Sequence, residues 1–117
     1  MLHPVHEQID QYPDIYTASQ SFLPEIRSSQ EGVLFEFFTV ENVDVAGNGR
    51  RKARRITLHI KSRNNKTYRF ELSPVQAMFI EKKGIKIETW KDKKITMVFY
   101  CDPTDRYVIP ELDTTYL

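Results

Sequence analysis

Residues 54–72 read RRITLHIKSRNNKTYRFEL, and no other stretch of the chain limits its fold as tightly. Ile56, Leu58 and Ile60 alternate with Arg55, Thr57, His59 and Lys61; further on, Tyr68, Phe70 and Leu72 alternate with Arg69 and Glu71. A period of two sends successive side chains to opposite faces of a strand, so each run has one apolar and one polar side. Asn64 and Asn65 tolerate the left-handed backbone of a tight turn, which makes the two runs antiparallel neighbours. The apolar face of such a hairpin must be covered, and the polar face is basic.

The flanking segments supply the cover. In VLFEFFTVENVDV, Val33, Phe35 and Phe37 project to one side and Leu34, Glu36, Phe38 and Val40 to the other, as in a long, bent or bulged strand shared by two halves of a barrel. SPVQAMFIEKKG reads as a helix: Ser73 caps it, Pro74 takes the first position, Gln76 completes a capping box, and Gly84 closes it. Met78 and Phe79, with Val75, are expected to face the core. KITMVFY and YVIPEL are two further strands. The order strand, strand, strand, helix, strand, strand is that of an OB-fold, a five-stranded Greek-key β-barrel with one helix between strands 3 and 4. The predicted organisation is an N-terminal arm of short helical turns over 1–32, a barrel over 33–112 and a tail over 113–117.

One domain's worth of chain, 117 residues, fits this plan. No apolar run approaches the ~20 residues of a membrane span. The N-terminus lacks the basic and apolar regions of a secretory signal, so an intracellular protein is expected, cytoplasmic or, in a eukaryote, nuclear. Cys101 is the single cysteine and can form no internal disulfide; His3 and His6 have no companions for a metal site. No cofactor or metal is expected. With no glycine-rich phosphate loop and no nucleophile and base grouping, the sequence points to a protein that binds rather than catalyses.

The formal charge of +1 hides a segregation. Between Arg50 and Lys94 stand 15 basic residues against Glu71, Glu81, Glu88 and Asp92, so that segment carries +11 and the remainder −10. Such asymmetry suits a polyanionic partner. FEFFTVENV, RRITLHIKSRNNKTYRFELSPVQ, TWKDKKITMVFY and RYVI together resemble the small archaeal and phage OB-fold-like proteins that bind single-stranded DNA. In those proteins a strand pair is followed by a capped helix, a tryptophan and a lysine turn, although Asp92 stands where that turn usually has glycine. The resemblance implies a partner, single-stranded DNA or RNA, bound with low sequence specificity.

In an OB-fold the ligand lies on strands 2 and 3 and on the loops between strands 1 and 2 and between strands 4 and 5. Here these are GNGRRKARR with Arg50, Arg51, Lys52 and Arg54, the residues Arg55, His59, Lys61, Arg63, Lys66 and Arg69, and the loop Asp102 to Arg106. Phe38 and Tyr100, ahead of Trp90, are the candidate base-stacking side chains. The alternative is a protein-interaction β-barrel whose acidic N-terminal arm docks on a basic face, with a second copy or a replication or repair protein as partner.

Overall fold

The structure, a computed structural model, describes residues 12–46, 55–115 and 117. It is mainly β: five strands form one antiparallel sheet in the order β3-β2-β1-β4-β5, curled into a half-barrel. The strands are β1 (Val33–Ala46), β2 (Arg55–Ser62), β3 (Thr67–Glu71), β4 (Lys94–Cys101) and β5 (Val108–Leu112). Two short helices, α1 (Ile15–Ala18) and α2 (Leu23–Ser28), precede β1, and α3 (Pro74–Lys82) lies between β3 and β4.

β1 is the central strand and holds the sheet together. Its first half pairs with β4 and its second half with β2, and Glu41 interrupts the second ladder as a bulge between Val40 and Asn42. A bulge adds one residue to one strand and reverses the side to which the following residues point. Phe38 and Val40 before it and Val43 after it therefore all turn inward. The core gathers Leu58, Ile60, Phe70, Met97 and Phe99 from the neighbouring strands, with Trp90 in the approach to β4.

Turn chemistry follows the sequence closely. Asn65 is left-handed at φ 66°, and Asp92 takes φ 71°, the backbone that a glycine at that position would supply. The turn before β4 is pinned to β1, Val40 donating its N–H to the Lys93 carbonyl and accepting from Asp92. Ser73 caps α3 by accepting from the Gln76 N–H at 3.1 Å. The Gln76 side chain does not close the expected capping box; it donates to the Leu112 carbonyl and ties the helix to β5.

The face of α3 also differs from expectation. Ala77 and Ile80 are buried, whereas Val75, Met78 and Phe79 point to solvent. The helix rests on the barrel through a narrow stripe in which a small side chain permits close approach, leaving no room for the bulkier ones.

β3 and β5 are the two sheet edges, and the N-terminal segment fills the gap between them. Pro13 accepts from the Arg69 N–H at 2.8 Å, and Asp14 makes a parallel bridge to Arg69 on β3. Further along, Gln20 bonds both the N–H and the carbonyl of Val108 on β5. Ile15 and Ile26 are buried in the core, and the Phe22 ring meets Phe99 edge-on at 5.2 Å. Edge groups that would otherwise stand unpaired are thus satisfied by the chain's own N-terminal region.

Candidate nucleic-acid interface

The sheet's outer surface has two unlike halves, on either side of the β1 bulge. On the half formed by β2, β3 and the end of β1, Arg55, Thr57 and His59 share a face with Arg69, which lies opposite His59, and Glu71, which lies opposite Thr57. This is the expected ligand face, but part of its charge is met within the chain. The Arg55 guanidinium bonds Glu71 at 2.8 Å, and that bond holds the arginine even more firmly protonated. Arg69 donates from its Nε to the Tyr12 carbonyl at 2.8 Å. Glu41 accepts from Thr67, and Asp44 lies opposite Thr57, so carboxylates interrupt the basic field.

His59 is the clearest departure from expectation. It is 2% exposed rather than a surface residue, and the Tyr12 ring meets it edge-on with the ring centroids 5.6 Å apart. Burial pushes the imidazole pKa down; Asp44 and Glu41 pull it up, and Arg69 adds to the lowering. Its Nε2 is buried with no hydrogen-bond partner among the described residues. A strand of nucleic acid has no access to this ring while Tyr12 covers it.

On the other half, formed by β1 and β4, the surface is open. Phe35 and Phe37 are 51% and 58% exposed, two residues apart on the same side of β1. A strand rises ~3.4 Å per residue, which separates the two rings by about 7 Å along β1. Next in that row is Thr39, standing between Lys61 on β2 and Lys94 on β4. Arg63 and Lys66 in one adjoining turn, and Lys91 and Lys93 in another, are all exposed at this end of the sheet. Of the expected site, the structure therefore brings Lys61 to the end of this aromatic row, which lies outside the residues expected to stack, while Arg63 and Lys66 stand beside Phe22, Phe38 and Tyr68 on the inner side of the sheet.

Phe38 is not on this surface. It is 5% exposed and packs edge-on to Tyr68 and tilted against Phe99, so it belongs to the core, as does Trp90 at 3%. The strand VLFEFFTV is apolar on both sides, and its one acid, Glu36, lies in the same inward row as Phe38. Glu36 makes that row look solvent-facing, which is why parity alone chose the wrong phenylalanine. Tyr100 does face outward, opposite Val33, half-exposed at the far end from Lys94. Burial raises its phenol pKa, and a hydrogen bond with Glu111 raises it further.

The two loops differ as well. Arg50, Arg51, Lys52 and Arg54 lie outside the described residues. The loop after β4 is organised around Asp102, which accepts from the N–H groups of Thr104, Arg106 and Tyr107 and from the Thr104 hydroxyl. Burial alone would raise this carboxyl's pKa, but those donors outweigh it and hold the group far below the usual carboxylate range. Arg27 of α2 pairs with Asp105 of this loop at 3.3 Å, and Arg106 of the loop is exposed. Among the described residues no cluster could hold a metal ion, and no helix is long and apolar enough to cross a membrane.

Comparison with family models, curated proteins and solved structures finds no match for this chain.

Proposed function

We propose that the protein binds single-stranded nucleic acid, most readily single-stranded DNA, with little sequence preference, through the outer surface of β1 and β4. The observation that carries this reading is the exposed pair Phe35 and Phe37 continuing into the row Lys61, Thr39 and Lys94. Exposed aromatic rings on a regular strand contribute nothing to the core, yet each offers a flat apolar face to an unpaired base. Stacking of that kind contributes ~1–3 kcal/mol per base and accepts every base. Lys61 and Lys94 neutralise phosphates and release counterions, so affinity falls with salt by ~0.7 log units per decade for each contact. No group in this row is arranged for catalysis, and the protein binds its ligand unchanged.

The strand connections, with β1 between β2 and β4 and the helix after β3, support an OB-like barrel related to the small single-strand binders. In this reading the segment Pro13 to Gln20 takes the place of direct β3 to β5 pairing. Fluorescence anisotropy with labelled single-stranded DNA, duplex DNA and single-stranded RNA, at low and physiological salt, tests the proposal. Single-strand preference that persists at the higher salt is expected, whereas equal binding that disappears with salt would leave only a charged surface.

A second reading is a protein-interaction module. It is favoured by the exposed side of α3, where Val75, Met78 and Phe79 lie together, and by the docking of Tyr12 and Pro13 on Arg69. Concentration-dependent self-association that is lost on Met78→Lys, with no nucleic-acid binding, would favour it.

A further inference from the structure

On the inner side of the sheet, at the end marked by the β2 to β3 turn, the N-terminal segment and the strands leave an open cleft of about 520 Å³. Phe22, Phe38 and Tyr68 line it with apolar surface, Arg63 and Lys66 stand at its rim, and Glu36 projects into it. Glu36 is an anomaly of the fold. It occupies an inward position of β1 between Leu34 and Phe38, directly across from the fully buried Met97. It is half-buried, yet no hydrogen bond or ion pair satisfies its carboxylate among the described residues. Its carboxylate therefore faces the open cleft, where its oxygens are free to accept from a ligand's donors.

We infer that this cleft binds a guanine nucleotide, with the base against the partly exposed Phe22 and Tyr68 and its Watson–Crick edge on Glu36. A carboxylate offers two acceptor oxygens side by side and no donor. Guanine is the one common base whose edge presents two adjacent donors, the ring N1–H and the exocyclic amine, so it alone meets both oxygens. Adenine and cytosine offer a single amine beside a ring acceptor that the carboxylate repels, and uracil or thymine one N–H between two carbonyls. Arg63 and Lys66, exposed at the mouth, are placed for the phosphate, where charge-assisted bonds are strongest. The volume is within the ~300–1,000 Å³ of ordinary ligand sites and accommodates one nucleotide. This site lies on the opposite side of the sheet from Phe35 and Phe37 and does not depend on strand binding there.

Calorimetric titration of the full chain with GMP, AMP, CMP, UMP and guanosine tests the inference. GMP is expected to bind about 10-fold or more tighter than the other three nucleotides, the discrimination of one good bidentate pair. Glu36→Gln, which keeps the shape but replaces one acceptor with a donor, should erase that preference with no loss of thermal stability. Arg63→Ala with Lys66→Ala, both in an exposed turn, should weaken GMP several-fold and leave guanosine unchanged. Equal affinity for all four nucleotides, a preference that survives Glu36→Gln, or no GMP binding at millimolar concentration would each overturn it. Phe35→Ala with Phe37→Ala should leave GMP binding intact, so loss of strand binding and loss of the cleft site are read separately. Oligonucleotides ending in guanine or thymine identify the source: a matching preference means a base carried on a strand, and its absence with GMP binding retained means a free nucleotide.

Discussion

The two halves of the outer sheet surface both contain basic residues but differ in what that charge meets. On the β2 and β3 half, Arg55 is held by Glu71, Arg69 by the Tyr12 carbonyl, and His59 lies beneath the Tyr12 ring. On the β1 and β4 half, Lys61 and Lys94 flank Thr39 beside two exposed phenylalanines. The Arg55 charge is paired with a carboxylate, whereas no carboxylate among the described residues pairs with Lys61 or Lys94. On the proposed reading, binding follows the unpaired cations rather than the local count of lysine and arginine.

The largest expected effect separates these halves directly. Phe35→Ala with Phe37→Ala should reduce single-stranded DNA affinity by at least about 30-fold, from ~1–3 kcal/mol per stacked base. Both rings are exposed, so the melting temperature should hardly change. His59→Gln, on the covered half, should leave affinity as it is. An anisotropy titration in which the double variant binds like the wild type would remove the open half as the site.

The next effect concerns the cover itself. Ile15 is 2% exposed in the core, one residue beyond the contacts that Pro13 and Asp14 make with Arg69. Ile15→Ala should cost ~2–5 kcal/mol of stability, as other large-to-small core changes do. Urea denaturation measures this. A loss below 1 kcal/mol would mean, by the same large-to-small scale, that the segment is only laid on the surface. Removing residues 1–30 to uncover the face would therefore disrupt the barrel, and Tyr12→Ala is the cleaner way to expose His59.

How much of this was legible in the sequence depended on how local its cause was. The hairpin of β2 and β3, the Ser73 cap, Gly84 and the bulged β1 all follow from short-range periodicity or turn chemistry, and the structure has them. Three features were not legible, each for a long-range reason. Phe38 and Phe37 exchange expected sides because the inward row contains Glu36, an acid that needs an inner cleft to be tolerable. α3 turns Met78 and Phe79 outward because Ala77 and Ile80 alone fit its shallow seat. Residues 14–28 are legible as an arm of short helical turns packed on the domain or on a partner, but not that Ile15 and Ile26 complete the core, since β3 and β5 do not pair with each other and only the sheet order reveals that gap.

A smaller effect sharpens the electrostatic side of the comparison. Lys61→Ala with Lys94→Ala should flatten the dependence of log affinity on log salt by ~1.4, two contacts at ~0.7 each. Arg55→Ala removes the same formal charge but one already engaged by Glu71, and its slope should match the wild type. Equal flattening by both would show that the covered half contacts phosphate after all.

The smallest expected effect is a pH dependence confined to the covered half. Burial lowers the folded pKa of His59 below the ~6.5 of an unfolded chain, so as pH falls the unfolded state takes up the proton first. The stability that the neutral, buried ring contributes is complete above the unfolded value and is lost as pH falls through the folded one. Asp102 acts in the same direction at much lower pH, since its folded pKa is also depressed, so a mildly acidic window isolates the histidine. Thermal melts between about pH 7.5 and 5.5 should show the wild type losing stability with acid and His59→Gln losing less, across the range in which histidine titrates. Tyr12→Ala should fall between them, because opening the ring to water restores part of the ordinary pKa. Parallel melting curves for the wild type and His59→Gln would mean that the Tyr12 cover opens freely in solution, and the contrast between the two halves of the sheet would then rest on the ion pairs alone.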